Sequence, residues 1–293
     1  MQSVFPNAAP GLEWRAPDVK ERLKMLAGAL LFPSVTRRWQ QQLATVPLLR
    51  VLADQVPRMR YQIYRPYLSG HLDIQARADA IAGHYRVLHE LGWGRGALAS
   101  CHTPQQVARF VGKSGTPFDM RFSTALVNER EGEQALQLLC EGRVIYTVSF
   151  TFGIDGVGRV LTVGSLQGLR ADDGEDLMRL ATRELHGMRP SNFMMAMLRD
   201  LAAAAGCSGV VLVSNCNRIV VNYRRRKRIT FDYDGLAQEL GGERGAGGNF
   251  RLAPRSAEGQ DESEIKSSKR AAFRRRNAMI TDARQQIVRT ISG

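Results

Sequence analysis

The sequence predicts an α+β protein, with an antiparallel or mixed sheet carrying packing helices, a helical N-terminal region and a basic C-terminal helix. Three observations predict it. Apolar residues run at helical spacing between residues 18 and 91, the period changes to two from residue 118, and helical spacing returns in a basic stretch near the C-terminus. At 293 residues the chain is long enough for one large or two modest domains with a real core.

The elements follow in order. Residues 18–56 read as helical, with Leu23, Leu26, Leu30, Trp39 and Leu43 on helical spacing and Pro33 and Pro47 as breaks. Residues 58–71 interleave arginine with tyrosine, and a helix spans about 73–91 on Ile74, Ile81, Tyr85 and Leu88. Strands are expected at 120–128, 134–140 and 143–152 as an antiparallel meander turning at Glu131-Gly132 and Glu141-Gly142, then at 158–166, ending in Gln167-Gly168. The acidic run 172–176 opens a helix to about 186, where carboxylates meet the free N–H groups of a first turn. Pro190 suits the first position of the next helix and Gly206 its stop. That helix is apolar nearly all round, so it belongs between layers, with its methionines as core filler. A buried strand at 208–214, a glycine-rich loop at 241–249 and a hydrophilic linker at 254–264 follow. The last helix, 264–290, sets Phe273, Ile280 and Ile287 seven apart on one face, a seam that suits either the core or a membrane interface. The expected organisation is an N-terminal helical region (1–57) and one domain (58–293), with the sheet core at 118–253.

The 41 Lys and Arg outnumber the 28 Asp and Glu, for a net charge of +13, and only six of the cations are lysines. Residues 218–228 and 265–276 each hold six basic residues and no acid, leaving 29 basic against 28 acidic residues elsewhere. The clusters comprise Arg224, Arg225, Arg226, Lys227 and Arg228, and Lys269, Arg270, Arg274, Arg275 and Arg276. Adjacent cations repel, so a run of five points to an anionic partner, either phospholipid head groups or RNA; a solvated face is the plainer alternative. The four scattered cysteines suggest reduced thiols, no window is apolar enough to span a bilayer, and no metal-type spacing occurs. A cytoplasmic protein is expected, with peripheral contact at the inner membrane open.

The turn Gly187-Met188-Arg189-Pro190-Ser191-Asn192 carries the clearest chemistry. Free N–H groups at a helix start, a glycine permitting close approach and Arg189 beside it suit an anion; an ordinary capped helix start is the alternative. His186 is either a helix-end histidine or a general base. Ser214 and Asn215 close a buried strand, where sites gather in α/β sheets, and Asn217 adds another polar group there. Cys216 has no base in its motif and reads as inert.

The ordered segments HYRVL (84–88), YTVSFTF (146–152), VGSLQG (163–168), GMRPSN (187–192), VSN (213–215), ELGG (239–242), NFRLAP (249–254) and SKRAAFRRR (268–276) resemble the VirK/YbjX family of Gram-negative bacteria from about residue 58 onward. The resemblance implies association with virulence and envelope defence or stress, with no agreed biochemical activity. A second resemblance is to the core of GNAT acyltransferases: a meander, a strand ending in Gln167-Gly168, a buried helix and a buried strand ending Val-Ser-Asn. It implies a donor such as CoA, or aminoacyl-tRNA in related transferases, with its phosphate on Gln167, Gly168, Gly187, Arg189, Pro190, Ser191, Asn192 and Ser214. His186 and Asn215 would then be the candidate catalytic groups. The Gln/Arg-x-x-Gly-x-Gly/Ala motif of that family is absent, and an extra helix precedes the Gly-Met-Arg-Pro turn.

Overall fold

The structure, a computed structural model, describes residues 19–101, 103–125, 129–169, 171–219, 231–254 and 266–292. Prolines divide the N-terminal region into α1 (Val19–Leu31), α2 (Pro33–Thr45), α3 (Pro47–Gln55) and a 3₁₀ segment (Pro57–Tyr64). Pro33, Pro47 and Pro57 each stand at a helix start, where the missing N–H has no partner to lose. Then come α4 (Ile74–Glu90), N-capped by Asp73 accepting from Ala76 N at 2.8 Å, and α5 (Gly94–Ser100).

The sheet follows as β1 (Gln105–Val111), β2 (Pro117–Thr124), β3 (Gln134–Cys140), β4 (Arg143–Ile154) and β5 (Arg159–Gly168), all antiparallel neighbours. Helices α6 (Ala171–Glu184) and α7 (Pro190–Ala204) lead to β6 (Gly209–Leu212), which pairs parallel to β5. Then α8 (Tyr233–Glu239), β7 (Glu243–Arg244) and β8 (Phe250–Leu252) complete a mixed sheet ordered β1-β2-β3-β4-β5-β6-β8-β7, and α9 (Ser267–Ser292) closes the chain.

The meander, α4, α7, β6 and the final helix stand where the sequence places them, whereas α5, β1, α8 and the β7–β8 hairpin are elements it does not show. The sheet starts at residue 105, not 118, because a bulge between Gln106 and Ala108 leaves Val107 and Ala108 both buried and breaks the alternation that marks a strand. The seven-residue α8 is too short to show a periodic face, and the glycine-rich loop is the turn of a hairpin made by β7 and β8.

Both α4 and α7 pack on β4, and the consecutive residues Val148–Phe152 are all buried, so both faces of this strand are covered. Helix α7 buries Phe193, Met194, Met195, Met197 and Leu198, as its all-round apolar pattern requires. Phe273, Ile280 and Ile287 of α9 are buried, and the helix packs on α7 and β1, so the seam docks on the core. Gln286 accepts from Arg109 N at 2.9 Å and donates to Arg109 O at 3.0 Å, so one side-chain amide pairs with the outer edge of β1 as a strand would.

One crossing organises the middle of the sheet. The backbone of residues 130–133 lies directly on β4 and β5. A Cβ at Gly132 would sit 2.6 Å from Phe150 N, and one at Gly164 only 2.0 Å from Glu131 O. Gly164 is the unpaired residue between Ser165, opposite Ser149, and Val163, opposite Phe150. Gly164→Ala is therefore expected to destabilise the fold by roughly 3 kcal/mol or more. A thermal melt that shows an unchanged Tm would refute this crossing.

Candidate functional site

Strand β5 pairs with β6 only from Val160 to Val163, with Val213 N donating to Val163 O at 3.1 Å beyond them. Past that point the two strands part, and among the described residues no strand pairs with residues 164–168 of β5 on that side. Tyr233, the first residue of α8, fills the gap. Its hydroxyl accepts from Leu166 N at 2.6 Å and donates to Leu166 O at 3.0 Å, satisfying both groups of the free edge.

Asn215 and its neighbours hold α8 in this position. Asn215 donates its backbone N–H to Asp234 (2.7 Å) and its amide N–H to Asp232 (2.7 Å), and its amide oxygen accepts from Tyr233 N (3.0 Å). The Arg218 guanidinium lies 3.8 Å from the centre of the Tyr233 ring. Ser214 donates its backbone N–H to Asn249 Oδ1 at 3.1 Å, and its hydroxyl lies 3.2 Å from the Cys216 sulfur.

The start of α7 faces the same gap. His186 and Gly187 have φ of 54° and 80°, a left-handed pair that reverses the chain out of α6 and frees the N–H groups of α7. The arrangement already holds an anion. Glu239, at the far end of α8, forms an ion pair with Arg189 and accepts from Asn192 Nδ2 at 2.9 Å. The Arg189 and Asn192 hydrogen bonds hold its carboxyl below the usual range.

Beside this start lies Tyr146 of β4, only 3% exposed, whose hydroxyl makes no hydrogen bond of ordinary geometry among the described residues. Its ring lies across Gly168, with Ser191 next to the hydroxyl. Burial raises its pKa, and the positive charges of Arg189 and Arg218 work in the opposite direction. The buried Glu131 carboxyl stands nearby, its pKa raised by burial against the pull of Ser165, Arg218 and Arg130. Gln167 Nε2 donates to it at 3.4 Å.

His186 is half-buried, and its pKa is lowered by burial and then by Arg275, Lys113 and Arg276, so the ring is neutral near pH 7. Arg275 and Arg276 of α9 thus act on one side of the α7 start, and Arg218 on the Tyr146 side. Of the sequence-derived residues, His186, Gly187, Arg189, Pro190, Ser191 and Asn192 form this turn itself, Gly168 reaches it only through the Tyr146 ring, Gln167 turns to Glu131, and Ser214 and Asn215 lie at the end of β6, where Asn215 bonds to α8. Arg270, Arg274, Arg275 and Arg276 lie in the first half of α9, as does Lys269. Arg224, Arg225, Arg226, Lys227 and Arg228 lie outside the described residues. Among the described residues no group of three or more His, Cys, Asp or Glu is arranged to hold a metal ion, and no helix is long and apolar enough to cross a membrane.

Sequence reasoning missed Tyr146, Glu131, Tyr233 and Glu239. Tyr146 sits among apolar strand positions and Glu131 in a turn signal, so neither spacing marks them; α8 alone brings Tyr233 and Glu239 to the site. A second buried carboxyl, Glu133, was missed for the same reason. It accepts from Tyr85 Oη at 2.6 Å and Gln62 Nε2 at 2.9 Å, beside a cavity of about 30 Å³ that reaches Cys101 and Thr124. That volume suits a water molecule.

These features define an α+β protein with a mixed sheet in which β5 outruns β6 and α8 bridges from the β5 edge to the Arg189 and Asn192 side chains. Residues 15–289 match the family described as a protein of unknown function, DUF535, and the chain belongs to it. An uncharacterized protein of Escherichia coli, YbjX, is 27% identical over 289 residues, covering 97% of this chain and 87% of that protein. The resemblance to YbjX proteins thus holds at the level of the family. Two uncharacterized proteins of Haemophilus influenzae are 33% identical over 138 residues and 25% identical over 167, covering 46% and 56% of this chain and 45% and 54% of their own lengths. No solved structure matches the chain.

Two predictions follow from these polar groups. Tyr233→Phe leaves the buried N–H and C=O of Leu166 unpaired, and is expected to cost about 1–3 kcal/mol in a chemical denaturation curve. For Glu133, burial raises the folded-state pKa, so the folded protein binds this proton more tightly than the unfolded chain. Its contribution to stability therefore falls as pH rises from the ordinary carboxylate range through the raised value. Glu133→Gln should flatten that decline when Tm is followed from about pH 5 to about pH 8.

Proposed function

We propose that this chain is an acyl- or aminoacyl-transferase-like enzyme. It takes the phosphate of its donor, CoA or an aminoacyl-tRNA, at the first turn of α7 and acts near anionic envelope precursors at the inner membrane. The observation that supports the reading is the Glu239 carboxylate seated on the Arg189 and Asn192 side chains, which shows that these two groups beside the start of α7 accept an anion. The edge of β5 beside it, where the Tyr233 hydroxyl now takes the Leu166 N–H and C=O, is the natural place for an extended donor arm that displaces α8. The GNAT-like order of meander, crossing helix and parallel strand supports the same placement, although here α6 and α7 both intervene.

In this reading Gln167, Gly168, Gly187, Pro190, Ser191 and Ser214 line the donor site, and the Tyr146 hydroxyl supplies an unspent hydrogen bond to it. His186, neutral beside its cations, accepts the proton of the attacking nucleophile. Asn215 becomes available to the reacting groups when α8 moves, since its present bonds are all to α8 and its cap. The basic residues at 224–228 and 274–276 attract the anionic acceptor or the tRNA. The family resemblance adds envelope defence as the setting.

A second reading has an observation of its own. Tyr233 fills the β5 edge, which suits an accessory protein that binds anionic lipid or RNA through its arginines and catalyses nothing. Titration calorimetry with CoA and with pyrophosphate separates the two. Arg189→Ala is expected to weaken binding about tenfold or more under the first reading. If Arg189→Ala binds normally while alanines at Arg274, Arg275 and Arg276 abolish RNA and lipid binding, the accessory reading replaces it. A native mass spectrum of freshly purified protein retaining CoA, or a phospholipid, bears on the same choice.

A further inference from the structure

Helix α1 is amphipathic in the wrong direction for a helix that belongs to a core. At 3.6 residues per turn, Val19, Leu23, Leu26 and Leu30 fall within about 60° of arc, and Gly28 lies on the opposite side. The glycine side faces the protein: a Cβ there would stand 2.5 Å from the Tyr64 ring, so this side sits flush on the 3₁₀ segment. The apolar stripe therefore faces out. Val19 is 74% exposed, Leu23 61%, Leu26 62% and Leu30 81%, and Leu31 and Phe32 extend the patch at 73% and 43%. Six of the eleven exposed large apolar side chains among the described residues fall in these fourteen positions, so this is a patch and not scatter.

Charge selects the occupant. Across residues 19–50 the basic residues are Lys20, Arg22, Lys24, Arg37, Arg38 and Arg50, and the only acid is Glu21. A second copy would bring two such basic segments together over a helix of only 13 residues, which is short for a stable helix pair. An anionic bilayer matches both the stripe and the charge. We infer that α1 is an interfacial membrane helix that lays Val19, Leu23, Leu26 and Leu30 into the surface of an anionic phospholipid bilayer, with the surrounding cations at its head groups. This assigns membrane contact to the opposite end of the chain from α9, whose apolar seam is spent on α7 and β1. It stands whether or not the α7 start binds a donor.

The test is sedimentation of the full chain with vesicles of phosphatidylcholine alone and of phosphatidylcholine containing phosphatidylglycerol, for the native sequence and for the triple variant Leu23→Gln, Leu26→Gln and Leu30→Gln. All three positions are exposed, so an unchanged Tm is expected and certifies the fold. The native protein should bind the anionic vesicles, weaken with salt, and bind neutral vesicles poorly. The triple variant should lose binding about tenfold or more. Equal binding by the variant overturns the inference. So does absence of vesicle binding, and a dimer that sedimentation velocity then finds lost in the variant would make the stripe a self-association face.

Discussion

The contact on which the rest depends is the backbone of residues 130–133 lying on the backbone of β4 and β5, at a separation that admits no side chain at Gly132 or Gly164. From that crossing Glu133 N donates to Phe150 O at 3.1 Å, and the Glu133 carboxyl turns inward to Tyr85 of α4 and Gln62 of the 3₁₀ segment. Leu68 N donates to Arg130 O at 2.6 Å, and Gly70 N to Asn217 O at 2.6 Å, which ties the same layer to the end of β6. The helical N-terminal region is thereby fastened through polar groups buried at the sheet centre. Such groups are costly when unpaired, so they define the position of the layer more sharply than apolar packing does.

The candidate site is a consequence of strand lengths. Strand β5 has ten residues and β6 four, so a parallel pair formed at one end must leave a free edge at the other. A free edge in the interior needs a partner, and α8 supplies one with the Tyr233 hydroxyl at its beginning and the Glu239 carboxylate at its end. One short helix thus spans both polar features that an extended, phosphate-bearing donor would use. The resting arrangement satisfies them internally, and any ligand at this place must compete with α8.

Much of this architecture was legible in the residues. Alternation in YTVSFTF, the proline starts at 33, 47 and 190, and the heptad spacing of Phe273, Ile280 and Ile287 each report a local period, and local periods survive into the structure. The turn at Gly187 was legible because a left-handed position followed by proline is a local event. What could not be read there are pairings between distant residues: Tyr233 with Leu166, Glu239 with Arg189, Gln286 with Arg109. Nor does the order of residues show which side of an amphipathic helix faces the protein. In α1 the spacing of the leucines marks a helix with one apolar face, and Gly28, not the leucines, is the residue that packs.

The sequence by itself determined the α+β class, the meander, the buried α7, the basic clusters and the family, because each rests on residue types at short separation or on their order along the chain. Tertiary structure decided which carboxylates are buried, which of them pairs with Arg189 and Asn192, and which apolar faces are spent. Those depend on loop closures between segments as far apart as Arg109 and Gln286, where geometry selects one partner among many chemically equivalent ones.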